Sequence, residues 1–524
     1  MILNCENGEL GLHLIPKIVI RLKDPMDFHL GHLPTEQPHP ETTHLSELVI
    51  QDPSAALQLL FKIDQQSWRV LKNSLGEIEK LRWSIQKTLQ SQNRIFLCGC
   101  GATGRLSLSL DWLLKAHDIY SKNSTQPLNP QALVSFMAGG DSALVSALEG
   151  FEDYPELGKE HLQFMGFKNG DLLLSSSEGG ETPYVLGATL YAAKHSSQKP
   201  WFLYCNPREL LKNTIPRSAE VLNHPQIHNL EIATGPMPLA GSTRMQASSV
   251  LMAALGLALF EEPKKWETLI ENLIQLEKTV HQDHFNKIIF NEAQIYKNNN
   301  YSTYRIDRKS SITVFTDTTE RAPTFSLNNF DHPQFRKTEH SLSYISIEET
   351  LNSEEAWLAL LGRKPITLNR PDLSSKSTFE YLEGFDFSQK AVQFRKDLIP
   401  DHKHIPIFVQ QKQDHWNFEV DGTSLKIPLT ESLLINHLNL KTTLNIHSTL
   451  MMGHLGRYTG NLMTYVKPTN GKLIDRSVRY VLSLLKKDGI SINYQQVLTT
   501  LKDEIPKLKS DEPIVLKVYK ILKT

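Results

Sequence analysis

The stretch RIFLCGCGATGRLSL, from Arg94 to Leu108, predicts how the first half of the chain folds. Its apolar residues up to Cys98 are typical of a buried strand. The residues Gly99–Gly104 then follow as G-x-G-x-x-G, ahead of sequence compatible with a helix. A helix that begins at such a turn directs backbone N–H groups and its positive end toward an anion. The pattern is typical of a dinucleotide-binding turn, and the same geometry suits a plain phosphate ester.

Short apolar runs separated by helical sequence continue beyond this stretch. The strands predicted from these runs are Arg94–Cys98, Leu133–Met137, Leu172–Ser176, Trp201–Cys205 and Leu230–Ala233. Five such strands with helical crossovers predict an α/β domain with a flavodoxin-like, parallel five-stranded sheet flanked by helices. An amphipathic helix near residues 75–89 precedes the sheet, a buried helix begins near Ser242, and a long amphipathic helix follows from about Trp266.

The alternation returns more faintly after about residue 300. SSITVFT (310–316) and IPIFV (405–409) are predicted strands, TDTTERAPTF (316–325) is a predicted polar loop, and residues 431–456 form a predicted long helix. We therefore expect a second, degenerate copy of the first domain, followed by helices near 477–485 and 494–501 with a break at Gly489. The expected units are an N-terminal segment (1–65), a first domain with its leading helix (66–262), a connecting helix (263–298), a second domain (299–450) and a C-terminal helical lid (451–524).

Composition excludes several classes of protein. The 524 residues carry a formal net charge of −1, which gives no general attraction to nucleic acid or to an anionic membrane. We expect no membrane span, because no apolar run reaches about 18 residues. The N-terminus lacks the pattern of a secretory signal. The four cysteines, Cys5, Cys98, Cys100 and Cys205, fit neither a disulfide framework nor a paired zinc motif, so a cytoplasmic location is expected.

Histidines are frequent near the N-terminus but do not predict a metal site. His29, His32, His39 and His44 lack the spacing of an ordered ligand set, and solvated loop histidines explain them better than metal ligands do. We therefore expect no bound metal.

Three polar loops follow predicted strands or precede a predicted helix at the carboxyl edge of the first sheet, where open α/β sheets bind ligands. These loops are Gly99–Gly104, SSSEGGETPYV (175–185) and GSTRM (241–245). Together they offer backbone N–H groups and the hydroxyls of Thr103, Ser177, Thr182 and Ser242 to an anion. Each loop taken singly is also explained as a helix cap, but three on one edge favour anion binding.

A dinucleotide fits the first loop less well than a phosphate ester does. Dinucleotide-binding domains carry an acidic residue at the end of the second strand, about 20 positions further on, which binds the ribose. Asp118 has that spacing but falls before the predicted second strand begins. No nicotinamide cofactor, or any other cofactor, is expected.

Several motifs resemble the sugar isomerase (SIS) domain, in the branch shared by bacterial N-acetylmuramic acid 6-phosphate etherases and animal glucokinase regulatory protein. These are, in order, GCGATGRL, AGGDSALVSALEGFEDYPELG, ETPYVLGA, CNP and GSTRMQA. The segments TDTTERAPTFS and NIHSTLMMGHLGRYTGNLMTYVKPTNGKL resemble the second SIS domain of the two-domain, regulatory-protein-like members. The resemblance therefore implies two SIS domains paired within one chain.

The resemblance implies a phosphosugar whose phosphate is bound by the three loops. The residues assigned to this site are Gly99, Gly101, Ala102, Thr103, Gly104, Glu152, Ser177, Gly179, Gly180, Glu181, Thr182, Ser242 and Thr243. SSSEGGET departs from the branch, because Glu178 and Glu181 place two carboxyl groups beside the proposed anion site. Unless they turn away or meet sugar hydroxyls, they disfavour an anion there.

The resemblance leaves open whether the protein is an enzyme. The etherase chemistry removes a proton beside the carbonyl of the open-chain sugar and then expels lactate, which requires a base and an acid. Glu152 matches the base, but Leu113 stands at the position of the acid, and Asp111 is two residues away on another helix face. We therefore expect a sensor like glucokinase regulatory protein, with a sugar kinase as one candidate partner and residues 451–524 as a lid over the ligand.

Two alternatives remain. One is a lyase of the etherase type, or a phosphosugar isomerase, with Glu152 as the base. The other is a sugar-responsive DNA-binding regulator, which the near-neutral charge and the lack of a basic helix-turn-helix ahead of the first SIS domain disfavour. We expect neither nucleic acid nor a membrane as a partner.

Overall fold

The first domain is built on a parallel five-stranded sheet. The computed structural model describes residues 29–120, 129–146, 148–334, 339–509 and 511–524, so Cys5 lies outside the described residues. The strands of the first sheet are β1 Ile95–Gly99, β2 Leu133–Met137, β3 Leu172–Ser177, β4 Trp201–Tyr204 and β5 His228–Glu231. Their order is β2-β1-β3-β4-β5, and all neighbours are parallel. The predicted sheet is confirmed, with β5 beginning and ending two residues earlier than expected.

Helices cover both faces of this sheet. They are α1 Leu45–Gln51, α2 Pro53–Asn73, α3 Leu75–Gln90, α4 Ala102–Tyr120, α5 Ser142–Val145, α6 Pro155–Phe164, α7 Pro183–His195, α8 Arg208–Thr214, α9 Pro216–Leu222 and α10 Gln246–Phe260. Every residue of α10 except Phe260 is buried, which explains why this helix is apolar on all sides. It begins four residues after Ser242, because residues 241–245 form a turn. Helix α2 extends across the predicted boundary at residue 65.

The connection to the second domain consists of three helices, so the prediction of one long helix was wrong. These helices are α11 Trp266–Ile274, α12 Leu276–Thr279 and α13 Gln282–Lys297. The chain is extended at Val280 and at His281, whose ring accepts the N–H of His284 and caps α13. The apolar periodicity persists through these breaks because all three helices bury one face against the same core.

The second domain contains a mixed five-stranded sheet. Its strands are β6 Tyr301–Ile306, β7 Ser343–Ile347, β8 His404–Gln411, β9 His415–Val420 and β10 Thr423–Pro428, in the order β10-β9-β8-β6-β7. Strands β7, β6 and β8 are parallel, whereas β9 and β10 run antiparallel to their neighbours. The α/β class with two sheets is confirmed, but this sheet is not fully parallel. Asp421 and Gly422, both at positive φ, form the tight hairpin that turns β9 into β10.

Further helices complete the second domain and carry one clear correction. They are α14 Ser311–Phe325, α15 Ser353–Leu361, α16 Phe379–Glu383, α17 Ala391–Leu398 and α18 Leu433–His454. SSITVFT and TDTTERAPTF lie in α14, so the predicted strand and loop there were wrong. Thr318 and Thr319 donate to carbonyls four residues earlier, which satisfies their hydroxyls inside a helix despite the β-branched composition. The predicted boundary at residue 450 falls within α18.

Three helices form the C-terminal unit, which packs against the carboxyl edge of the first sheet. They are α19 Gly471–Lys487, α20 Tyr494–Glu504 and α21 Ile514–Lys523, and α21 had not been predicted. Gly489, at positive φ, forms the expected break. Tyr480 donates to the carbonyl of Ala240 (2.5 Å), which ties α19 to the first domain. Arg476 forms an ion pair with Glu36 (2.8 Å) of the N-terminal segment. Within the described residues, no helix combines the length and apolarity needed to span a bilayer.

Candidate functional site

A cavity of about 160 Å³ opens at the carboxyl edge of the first sheet, between the two domains and the C-terminal unit. We call it the interdomain cavity. Its walls begin where β1, β2 and β3 end, at Cys100, Ala138 and Glu178. Seven ionisable residues line it: Arg105, Glu152, Glu178, Arg244, Glu320, Lys472 and Arg476. The site therefore lies at the edge where parallel α/β sheets bind ligands.

The first predicted loop contributes its backbone to the cavity. Gly101 has φ +53°, and Gly101 and Ala102 line the wall. The hydroxyl of Thr103 accepts from the N–H of Cys100 (2.9 Å) and donates to the carbonyl of the same residue (2.9 Å), so it closes the turn. Gly104 is required for packing, because a Cβ there would lie 2.5 Å from the Cβ of Met137. A Cβ at Gly99 would likewise meet the Thr103 backbone at 2.3 Å.

Some residues of the second loop line the cavity, and others stabilise the loop itself. Thr182 and Glu178 line the cavity, whereas the residues that were assigned to the phosphate, Ser177, Gly179 and Gly180, do not. The Ser177 hydroxyl accepts the N–H of Gly180 (3.1 Å) and is hydrogen-bonded to Thr182 Oγ1 (2.9 Å). These bonds hold the loop in shape beneath the cavity wall.

Glu181 turns away from the cavity and is neutralised by two cations. Its carboxyl group lies 2.6 Å from Arg217 Nη2 and 3.5 Å from Lys472 Nζ. Burial alone would raise its pKa, but Lys472 and Arg217 hold the pKa below the usual value of a glutamate. The expected repulsion between Glu181 and an anion is therefore largely cancelled.

The third loop brings an unpartnered hydroxyl into the cavity. Ser242 and Thr243 line the wall, and the buried Oγ of Ser242 has no hydrogen-bond partner among the described residues. Arg244 follows directly and is held from the second domain by Asp317 (3.0 Å) and Thr449 (3.0 Å). A buried hydroxyl without a partner is costly, so Ser242 is a natural contact for a polar ligand.

Glu152 lies in the same cavity as these loops. Its Oε1 accepts a hydrogen bond from Nδ2 of Asn470 (2.9 Å), and Oε2 lies 3.5 Å from Cys100 Sγ. Asn470 also caps α19, because its Oδ1 accepts the N–H of Leu473 (2.8 Å). The predicted base is thus positioned by the N-cap residue of α19.

Of the thirteen predicted site residues, six line the cavity: Gly101, Ala102, Glu152, Thr182, Ser242 and Thr243. The assignment of a ligand to them remains a prediction. The sequence analysis missed Asn470, Lys472 and Arg476 of the C-terminal unit and Glu320 of α14. Glu320, Asn470 and Lys472 lie in the segments whose resemblance was the only available signal, and Arg476 lies three residues beyond the second of these segments.

The cations around the cavity are fixed by carboxylate partners. Arg105 pairs with Glu320 (2.5 Å), and Arg244 pairs with Asp317 (3.0 Å). Arg476 pairs with Glu36, whose pKa, despite burial, is lowered to about 2 by Arg476, Lys472 and Arg479. Because these side chains are already ordered, a bound anion would find them in place.

The position that resembles the etherase acid lies away from the cavity. Leu113 is 3% exposed and belongs to the core, eleven residues into α4 from Ala102. Asp111 receives hydrogen bonds from Ser135 Oγ (2.8 Å) and Lys115 Nζ (2.8 Å) and does not line the cavity. Neither residue can transfer a proton to a molecule in the interdomain cavity. In the described part of the chain, no three His, Cys, Asp or Glu side chains are grouped as metal ligands.

Comparison with known proteins gives a family-model match within the first domain and curated relatives that align with less than half of this chain. Residues 78–193 match the family model described as the glucokinase regulatory protein N-terminal SIS domain. N-acetylmuramic acid 6-phosphate etherase 1 of Bacillus licheniformis is 28% identical over 246 residues, covering 47% of this chain and 73% of the relative. The N-acetylmuramic acid 6-phosphate etherase of a Picosynechococcus species is 33% identical over 230 residues, covering 43% of this chain and 68% of the relative.

Among solved structures, tagatose-6-phosphate ketose/aldose isomerase of Escherichia coli aligns with a TM-score of 0.41 at 13% identity. The alignment covers 76% of this chain and 93% of the isomerase.

Proposed function

The chain belongs to the SIS-domain family that includes the N-acetylmuramic acid 6-phosphate etherases, and from this membership we propose that it binds a phosphosugar in the interdomain cavity and cleaves it by an etherase-type elimination. The observation that carries the proposal is the placement of Glu152 in one cavity with the unpartnered hydroxyl of Ser242 and the open backbone of Gly101. A base and an anion site within one small cavity are what this reaction requires.

The phosphate group is assigned to the wall formed by the first and third loops. There, the Ser242 hydroxyl has no partner among the described residues, Gly101 and Ala102 line the wall, and the positive end of α4 favours an anion. Arg105, Arg244, Lys472 and Arg476 supply positive charge around the same space. An ionised phosphate is attracted by this arrangement even though each cation already has a partner.

The carbon chain of the open sugar is assigned to the part of the cavity beside Glu152. The carboxylate of Glu152 would remove the proton at C2 of the open-chain sugar, next to the C1 carbonyl, and lactate would then leave C3. Asn470 holds this carboxylate in one orientation, which positions it for proton transfer.

The test is lactate release from N-acetylmuramic acid 6-phosphate by the purified chain. We expect release by the wild type and a loss of about 10²–10⁴-fold in Glu152→Gln, because a carboxamide cannot take up the proton. Glu156→Gln is the matched control, since Glu156 is exposed in the same acidic segment. Absence of lactate from the wild type, in the presence of ligand binding, would contradict the proposal.

A phosphosugar sensor that regulates a partner such as a sugar kinase is the second candidate. It is favoured by Leu113 at the position of the etherase acid, by the C-terminal unit over the cavity, and by the match of residues 78–193. A thermal-shift screen of hexose 6-phosphates, fructose 1-phosphate and amino-sugar phosphates would test it, because a ligand that binds only the folded state raises the melting temperature. A rise in melting temperature without lactate release or isomerisation, together with inhibition of a sugar kinase, would favour the sensor.

A further inference from the structure

Glu178 is a carboxyl group inside the interdomain cavity for which the family resemblance assigns no role. It follows β3 directly, is 8% exposed and lines the cavity. Its carbonyl accepts the N–H of Cys205 (3.0 Å), so the backbone at this point is tied to the end of β4. Its Oε1 has no hydrogen-bond partner among the described residues. The side chain is therefore buried, fixed at its base and available to a molecule in the cavity.

The surroundings of Glu178 keep it protonated near neutral pH. Burial is the largest influence and raises its pKa to about 8. A hydrogen bond from the backbone of Glu178 itself lowers the pKa, Glu320 of α14 raises it, and Lys472 of α19 and Lys441 of α18 lower it. No cation among the described residues lies within ion-pair distance of Glu178. At pH 7 the group is thus predominantly a neutral carboxylic acid, which can give up a proton and does not repel a phosphate.

The three carboxyl groups that line the cavity have different environments. Glu152 accepts a hydrogen bond from Asn470, and Glu320 pairs with Arg105 at 2.5 Å. Oε1 of Glu178 accepts no hydrogen bond and pairs with no cation among the described residues. Pairs of carboxyl groups held in contrasting environments are a common basis for assigning one as base and the other as acid.

We propose that Glu178 donates the proton that the leaving lactate oxygen requires, a role that rests on the elimination proposed above. Glu152 takes the C2 proton, and the electron pair of the C2–H bond is delocalised onto the C1 carbonyl oxygen as an enolate. The enolate then restores the C1 carbonyl and forms the C2=C3 double bond. The C3–O bond breaks, its electron pair remains on the lactate oxygen, and that oxygen receives the proton of Glu178. Glu178 ends as a carboxylate and Glu152 as a carboxylic acid, so protons and electrons balance without a further reactant.

This assignment replaces the missing acid at Leu113 by a residue from another loop. Glu178 lies in SSSEGGET, the segment that departs from the etherase-like pattern. The same chain has Leu113 on α4 at the position that matches the etherase acid. Asp111 is held by Ser135 and Lys115 outside the cavity, and Glu181 is held by Arg217 and Lys472. Glu178 is therefore the described carboxyl group best placed to act as the acid opposite Glu152.

The experiment measures lactate release and exchange of the C2 hydrogen with solvent in D₂O, using N-acetylmuramic acid 6-phosphate and the full chain. Exchange needs only the base, whereas lactate release needs both groups. In Glu178→Gln we expect lactate release to fall about 10²–10⁴-fold while deuterium still enters C2 of the recovered substrate. In Glu152→Gln both should be lost. Glu178→Asp, which retains a carboxyl group, should recover part of the lactate release.

An infrared measurement provides a readout that does not depend on turnover. At pH 7 the wild type should show the carbonyl band of a protonated carboxyl group that disappears in Glu178→Gln, and this band should be lost as the pH rises through about 8. Glu156→Gln is the control that should change neither the band nor the two rates.

The outcomes separate the two proposals. If Glu178→Gln releases lactate at the wild-type rate, or if it loses both C2 exchange and lactate release, the role of Glu178 is overturned and the elimination is left intact. A wild type that binds the sugar phosphate but shows neither exchange nor lactate overturns the elimination, and the role of Glu178 with it.

Discussion

The side-chain amide of Asn470 donates a 2.9 Å hydrogen bond to Oε1 of Glu152, which lies 318 residues earlier in the chain. The carbonyl oxygen of the same amide accepts the N–H of Leu473 and caps α19. One side chain therefore links the beginning of the C-terminal unit to the proposed base. Orientation of that base and stability of α19 depend on different atoms of Asn470, so substitutions can separate them.

Asn470→Ser should preserve the cap and remove the amide donor. Serine and asparagine are about equally good N-caps, so we expect little change in melting temperature. Lactate release should fall about 10-fold because Glu152 loses its orientation. Asn470→Ala should show the same loss of activity and, in addition, about 1 kcal/mol lower stability in urea unfolding. Wild-type activity in Asn470→Ser would contradict the positioning role.

Asp317→Ala should strongly destabilise the contact between the two domains. Asp317 is buried and lies 3.0 Å from Arg244 of the first domain, 3.0 Å from Arg321 and 2.8 Å from Asn445. Removing it leaves two buried guanidinium groups with fewer partners, and we expect a loss of about 3–5 kcal/mol in urea unfolding. The control is Lys80→Ala in the exposed Lys80–Glu77 pair, where the change should stay below about 1 kcal/mol. Equal effects of the two variants would contradict this expectation.

Stability should decrease as the pH rises from about 6.5 to about 8, through two buried carboxyl groups. Below about 6.5 the buried His161, His437 and His447, whose pKa values are lowered by burial, act in the opposite direction. Burial raises the pKa of Asp64 to about 7 and that of Glu178 to about 8, from ordinary values of 3.8 and 4.5. Between the ordinary and raised values the folded state holds more protons than the unfolded state, so the stabilising contribution present at low pH is lost as the groups ionise. Melting temperatures across this range should show the decrease.

Asp64→Asn should reduce this pH dependence, because its neutral amide no longer titrates. The hydrogen bond from Gln246 (2.5 Å) can still be accepted by the new carbonyl oxygen. Lys441, whose pKa burial lowers to about 8, acts in the opposite direction and only at higher pH. An unchanged slope in Asp64→Asn between about pH 6.5 and about pH 8 would contradict the assignment to Asp64.

Gly104→Ala should be more damaging than Gly101→Ala. The new methyl group at 104 would lie 2.5 Å from Met137 Cβ and force α4 away from β2, at a cost of about 1–3 kcal/mol or more. At Gly101 nothing lies within 4 Å of the added Cβ, so the main cost is about 1–2 kcal/mol for the left-handed backbone at φ +53°. Urea unfolding of both variants measures the difference, and an equal loss would contradict it.

Ser242→Ala should weaken ligand binding without destabilising the free protein. The buried Ser242 hydroxyl has no partner among the described residues, so its removal should leave the melting temperature unchanged or slightly raised. A hydrogen bond to a phosphate oxygen contributes about 1.5–3 kcal/mol, so affinity for N-acetylmuramic acid 6-phosphate should fall at least about 10-fold. Titration calorimetry with a slowly reacting variant such as Glu152→Gln as background measures this, and unchanged affinity would remove Ser242 from the phosphate site.

Local sequence was sufficient for the first sheet and for the long buried helices. Strands β1 to β4 were predicted within one or two residues, because short apolar runs between glycine-rich turns can be buried in few other ways. The same holds for α3 and α18, whose apolar periodicity and length distinguish them from strands. By contrast, Ile312, Thr313 and Val314 have a strand-like composition, and only packing of α14 against α18 and α4 makes them helical.

The sequence by itself determined the parallel first sheet and the glycine-rich loops at its carboxyl edge, since these depend on neighbouring residues along the chain. Only the family resemblance indicated Glu152 beside these loops. Only the tertiary structure decided which groups share the cavity. It brought Asn470 and Lys472 to the first domain, turned Glu181 toward Arg217, and buried Glu178 without a partner for Oε1. Burial and the distances between distant segments set the charge of a carboxyl group, and neither can be obtained from spacing along the chain.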